Sequence, residues 1–231
     1  MKNNTSLINA INYRRSVRVY DATKEIDSEI VKKCIQQATL APNSSNMQLW
    51  EFHHITSKDI LAKLAEACLG QSAATTAKEM VVVVVRKDLW KQRSKAHLSY
   101  LMKLFGVKPI KEYSGREKFA LNYYKKIMPF AYAEFFGIYG YIKYAISLIT
   151  GIFRPSYRQL RKSDMRVVAH KSAGLAAQTF MLSMAAENYD TCPMEGSDTL
   201  RIKKILKLPS RSEINMVISC GIRKPEGVYG E

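Results

Sequence analysis

The chain has 231 residues, 47% of them apolar, which supplies one substantial core and fits a single domain, with room for an insertion. It has no long polar low-complexity tract, and that excludes wholesale disorder. A formal net charge of +16 favours anionic partners such as phosphorylated cofactors, acidic membrane surfaces or nucleic acid, although a solvated basic face would carry the same charge.

The opening residues lack the continuous apolar core of a secretion signal, so a cytoplasmic location is expected. Leu7, Ile8 and Ile11 fall at helical spacing and predict a helix over residues 6–13. Asp27 or Ser28 can cap a second helix with Ile30, Val31, Cys34, Ile35 and Ala38 on its inner face, stopped by Pro42. Residues 50–55 read as a strand. Ser57 then opens a helix that presents Ile60, Leu61, Leu64, Ala65 and Cys68 inward.

Five consecutive valines, 81–85, mark a strand covered on both sides. An Ala-, Leu- and Met-rich stretch predicts a deeply packed helix over 171–188. Asp198 can cap a helix reaching Lys207, with Pro209 beyond it, and residues 214–222 form a last strand. The pattern is α+β: a small mixed β-sheet flanked by helices.

Residues 86–165 depart from this pattern and read as a basic, aromatic, helical insertion into the single domain 1–231. Residues 86–126 hold twelve Lys/Arg against three acidic residues, and nine of the thirteen tyrosines fall between 100 and 157. Residues 127–153 have only Glu134 and Lys143 as charges. That length matches a bilayer, but the two charges, Pro129 and the internal glycines argue against a span. A lid or dimer-packing pair of helices is the favoured reading, with peripheral membrane contact as the other.

Cys34, Cys68, Cys192 and Cys220 are far apart, with no CxxC pair, and read as small buried apolar side chains rather than metal ligands. His53, His54, His97 and His170 read as structural.

Three segments carry candidate chemistry. Arg14, Arg15, Ser16 and Arg18 put three guanidinium groups and a hydroxyl within five residues, a donor set able to clamp a phosphate; a solvated basic turn has the same composition. Residues 41–52, APNSSNMQLWEF, place a polar loop between helix and strand, suited to the edge of a heterocycle or to an ordinary Asx turn. In 189–196, YDTCPMEG, Pro193 fixes the approach and Gly196 permits a bend that aims backbone amides at a ligand. Glu195 presents either a buried acid or, preferably, its backbone amide.

Taken together and in this order, RRSVRVY, APNSSNMQLWEF and CPMEG resemble the FMN-dependent nitroreductases, over residues 7–85 and 165–222. The resemblance implies a homodimeric α+β fold with FMN at the subunit interface. NAD(P)H would be the electron donor and a small electron-poor molecule, such as a nitroaromatic or quinone, the acceptor. By motif, Arg14, Arg15, Ser16 and Arg18 would hold the phosphate and the pyrimidine side of the flavin. Asn43, Ser44 and Asn46 would approach from the partner subunit. Pro193, Met194, Glu195 and Gly196 would lie along the ring, with Gln71 on its edge and Arg223 near the phosphate. The flavin would carry the chemistry, with no catalytic side chain and no metal. Asn43 and Leu49 stand where the family usually has serine and proline. Two other readings remain: a flavin enzyme of this fold with a different reaction, such as reductive dehalogenation, and a basic membrane- or nucleic-acid-associated protein without redox activity. For the enzyme, no nucleic-acid partner is expected.

Overall fold

The structure, a computed structural model, describes residues 6–229. It divides into two compact units. One runs to Asn43, then Trp50–Arg86, then onward from Lys171; the other comprises Ser44–Leu49 and Lys87–His170. The stretch expected as an insertion therefore falls almost wholly in the second unit.

The first unit is organised by a four-stranded sheet in the order β1-β2-β4-β3, with β1 Trp50–Ile55, β2 Glu79–Val85, β3 Asp190–Met194 and β4 Glu213–Gly221. Every pairing is antiparallel, and the parallel element expected of a mixed sheet is an isolated bridge, Ser16 to Thr191. The valine run is central and all five side chains are buried, as an unbroken β-branched strand requires. Each such burial contributes about 1.5–3 kcal/mol.

Around the sheet lie α1 (Leu7–Tyr13), α2 (Ser28–Ala38), α3 (Lys58–Ala67) and the short α4 (Ser72–Thr75). Ser6 caps α1 by accepting from the Asn9 amide, and Asp27 caps α2 by accepting from the Glu29 amide. A core cluster joins Leu64, Ala65 and Cys68 of α3 to Met80, Val82 and Val84 of β2, and to Met194, Ile202 and Val217. Gly221 is obligatory: a Cβ there would lie 2.6 Å from the ring of Tyr20, whose hydroxyl bonds Ser219.

Further expectations need correction. The long helix starts at Lys162 rather than near Lys171 and ends at Ala186. The segment read as a bend is strand β3 as far as Met194. Pro193 hid it, because proline is a poor strand former; it is tolerated here because β3 is an edge strand and pairs only with β4 at that position.

The second unit contains α5 (Trp90–Phe105), α6 (Gly115–Asn122), α7 (Met128–Tyr132) and α8 (Ile138–Phe153), with a π-helical turn over Tyr123–Ile127. The long helix, α9 (Lys162–Ala186), begins here and continues into the first unit. Met47, Leu49, Met128, Ala131, Tyr132 and Met165 form the second unit's core, against which Trp90 and Tyr124 pack. Residues 127–153 are not one span. Positive φ at Phe136 (48°) and Gly137 (84°) breaks them between α7 and α8, and among the described residues no helix is long and apolar enough to cross a membrane. The remaining helix, α10 (Thr199–Ile205), is capped by Asp198 as expected; Lys207, expected inside it, has φ 51° and lies beyond its end.

Candidate functional site

In the first unit, α1 stops just before the basic cluster because Tyr13 is anchored. Its hydroxyl donates to Asn188 O at 3.2 Å, and the Arg223 guanidinium stacks 4.2 Å over its ring. Arg223 donates from Nε to Asp190 Oδ1 at 2.8 Å, pairs again with Asp190 through Nη2, and bonds Tyr13 O at 2.9 Å. Burial works against the Arg223 cation, but the hydrogen bond and charge of Asp190 outweigh it and raise its pKa. This guanidinium, expected near a phosphate, is therefore engaged with a buried carboxylate. It fixes the end of α1 against the start of β3.

Beyond Tyr13 the chain is extended. Ser16 bridges Thr191, and the Val17 amide donates to Thr191 O at 3.1 Å, so the arginine segment runs beside β3. The arginines differ in what they are free to do. Arg15 is exposed and folds back onto Asn12 O and Arg14 O. Arg18 donates to Ser16 O at 3.3 Å and stacks on Tyr229. Arg14 is half-buried, and its guanidinium makes no hydrogen bond among the described residues. Burial raises the Cys192 thiol above its ordinary value, and the charges of Arg18 and Arg14 pull against that rise. Both cations therefore act at Cys192, the residue preceding Pro193.

At the other end of β3, Met194 turns its side chain into the core, whereas Glu195 and Gly196 are exposed. Gln71, at the N-terminus of α4, donates from its side-chain amide to Gly196 O at 2.7 Å and to Cys68 O at 2.9 Å. The structure thus joins two residues 125 positions apart that the motif reading had assigned to one ligand. Asn43, in the same unit, is half-buried and its side-chain amide reaches Ala41 O at 3.4 Å.

Ser44 and Asn46 belong to the second unit and are exposed. Ser45, Asn46 and Gln48 all have positive φ (56°, 51° and 48°), a conformation non-glycine residues hold only when their surroundings impose it. Sequence reasoning missed what imposes it. Tyr124 donates its hydroxyl to Ser45 O at 3.0 Å, the Tyr123 and Ser45 hydroxyls bond at 2.8 Å, and His97 Nε2 lies 2.6 Å from Asn46 O. The adjacent Tyr123-Tyr124 pair was the available signal, but nothing in the sequence tied it to a loop almost eighty residues earlier.

The same unit holds a cavity of about 460 Å³ lined by Ser45, Tyr123, Phe130, Tyr132, Lys143 and Ser147, among others. Lys143 is buried there and donates to Ala131 O and Ala133 O at 3.0 and 2.9 Å. Burial lowers its pKa, against an opposing pull from Glu134.

The family model that matches this chain is that of the nitroreductase family, over residues 11–222. The chain belongs to the nitroreductase family. Among its curated relatives, DrgA of Synechocystis is 26% identical over 93% of this chain and 82% of its own length. MhqN of Bacillus subtilis, whose name marks it as a candidate NAD(P)H nitroreductase, is 23% identical over 94% and 88%. The crystal structure of ydfN from Bacillus subtilis superposes with a TM-score of 0.69 at 24% identity, covering 97% of this chain and 91% of that one. A candidate nitroreductase of Exiguobacterium sibiricum, solved in complex with FMN, gives 0.68 at 22%, covering 98% and 92%. These likenesses bear out the α+β nitroreductase fold.

Proposed function

We propose that this protein is an FMN-dependent oxidoreductase that takes hydride from NAD(P)H and passes electrons to a small electron-poor acceptor such as a nitroaromatic or quinone. The observation that carries the reading is the half-buried residue Arg14, whose guanidinium makes no hydrogen bond among the described residues and acts with Arg18 at Cys192 beside Pro193. A guanidinium without a partner keeps its donors available, and a phosphate would engage them in charge-assisted hydrogen bonds. The FMN complex of the Exiguobacterium protein supports the same cofactor.

In this reading Arg14 and Arg18, with Arg15 and Ser16, hold the phosphate and the pyrimidine edge. Gln71 donates its side-chain N–H groups to Gly196 and Cys68, which leaves its amide oxygen to accept from a ring N–H. Backbone groups at Pro193, Met194, Glu195 and Gly196 border the ring, while the Met194 side chain supports them from the core. Arg223 is a positioning residue that holds Tyr13, and hence Arg14, in place. The bound FMN would supply hydride acceptance from the donor and electron delivery to the acceptor. The cationic side chains favour the negative charge that reduction places on the pyrimidine side.

A homodimer would complete the site with the partner subunit's Asn43, the partner subunit's Ser44 and the partner subunit's Asn46. Leu7, Ile8 and Ile11, which share one face of α1 as their spacing implies, form an exposed apolar stripe that suits such an interface.

Purification should give a yellow protein with flavin absorbance. Arg14→Ala should weaken FMN retention by about 1.5–3 kcal/mol, roughly tenfold to a hundredfold in Kd, measured by equilibrium dialysis. A colourless protein that FMN does not stabilise, or unchanged affinity in the variant, sinks the reading.

A further inference from the structure

The amphipathic helix α8 is built inside out. Its buried positions are Gly140, Lys143 and Ser147, while Tyr141, Ile142, Ile146, Ile149, Ile152 and Phe153 are exposed. Burial of Lys143 is secured by its bonds to Ala131 O and Ala133 O, and Glu134 turns both carboxylate oxygens inward near it. Gly140 is required for this seating, since a Cβ there would lie 3.0 Å from the Arg161 backbone. The outward apolar face is therefore a consequence of specific internal bonds. Burying Ile149 and Ile152 instead would need a half-turn of the helix that strips Lys143 of its acceptors.

Beside α8, the turn before it adds Phe135 and Phe136, the latter 92% exposed. The exposed charges of the polar rim are positive, while buried Lys143 lies inside and Arg161 is paired with Asp164 just beyond the rim. Residues 118–163 hold eight Lys/Arg and a single acidic residue, Glu134, and that residue is turned inward. Lys125, Lys126, Arg154 and Arg158 are exposed, and Arg158 packs its guanidinium against Gly151 of α8. Exposed Tyr139, Tyr141 and Tyr157 add rings with an apolar body and a polar tip.

We propose that this face is a docking surface for an anionic phospholipid membrane, with α8 lying in the plane of the interface. Sixteen residues of helix with a basic rim and interfacial aromatics suit that geometry, and the helix is too short to span. Charge complementarity selects lipid over a second copy of this chain. Two such faces brought together would oppose like charges, and the patch has no exposed carboxylate to pair with them. The proposal goes beyond the oxidoreductase reading and does not depend on it.

The test is flotation of the purified, cofactor-loaded protein with vesicles of phosphatidylcholine alone or of phosphatidylcholine with phosphatidylglycerol. Wild type should float with the anionic vesicles, remain below with the neutral ones, and lose most of its binding in high salt. The double variant Ile149→Glu/Phe153→Glu and the single variant Ile152→Glu, all at exposed positions, should lose flotation severalfold. Their unfolding transitions and NAD(P)H-dependent turnover of a soluble acceptor should not change. Wild type that stays below with anionic vesicles overturns the proposal, and so does a folded variant that floats as well as wild type. A variant that converts a dimer to a monomer by sedimentation equilibrium also overturns it, assigning the face to a second copy. Loss of turnover in wild type would count against the oxidoreductase reading alone.

Discussion

The sheet unit and the helical unit solve burial in opposite ways. In the first, apolar residues go inside: the valines of β2, together with Ala173, Ala176, Ala177, Phe180 and Met184 of α9, are fully shielded. In the second, α8 places a lysine and a serine inside and leaves isoleucines and phenylalanine outside. Hydrophobicity alone therefore predicts the interior of one unit and misjudges α8 in the other. The difference lies in what competes with it. A central strand satisfies its backbone through its neighbours and leaves side-chain burial as the deciding term. On α8, two carbonyls at the end of α7 and the close approach at Gly140 fix the rotation.

The sharpest test of that contrast pairs Phe180→Ala with Ile149→Ala. The first should cost about 3–5 kcal/mol in urea unfolding. The second should stay within about 0.5 kcal/mol; a large loss there would mean that α8 is seated differently. Asp190→Asn comes next, at about 3 kcal/mol, because it strands the Arg223 guanidinium with no carboxylate. It should also lower the melting temperature by about 6–12 °C, and a neutral outcome would remove the anchor argued for Arg14. Tyr124→Phe deletes one hydroxyl bond to Ser45 and should cost about 1 kcal/mol, accompanied by faster proteolysis near residues 44–48 if the tyrosine imposes the loop's positive φ values.

The smallest effect concerns the thiols. All four cysteines are buried and free, and burial pushes Cys34 up to about 12 and Cys68 to about 11 from an ordinary 9.0. A raised thiol pKa favours the protonated folded form. The associated stability is present below about pH 9 and falls as pH rises toward 12, because the unfolded thiol deprotonates first. At neutral pH, aromatic disulfide reagents should label the native protein far more slowly than the urea-unfolded chain. Prompt native labelling of Cys34 or Cys68 would contradict their burial.

Much of the first unit was legible. The Asp27 and Asp198 caps, the valine strand and the strand at 214–222 follow from local chemistry and short periods, and they appear where expected. Strand β3 was not legible, since Pro193 argues against a strand unless one knows that it lies at a sheet edge. The three candidate ligand segments stand out because each concentrates unusual donors within a few residues. The partners that hold two of them are distant in sequence: Arg223 for Asp190, Gln71 for Gly196, and Tyr123 and Tyr124 for Ser45.

The sequence by itself determined the α+β class, the family resemblance and the location of the candidate ligand segments. Those depend on composition, short-range periodicity and contiguous motifs. Only the tertiary structure decided which arginine of the 14–18 cluster makes no hydrogen bond among the described residues, what bends the 44–48 loop and which way α8 faces. Each of these turns on hydrogen bonds made or left unmade once folding brings residues together, and local hydropathy carries no record of such pairs.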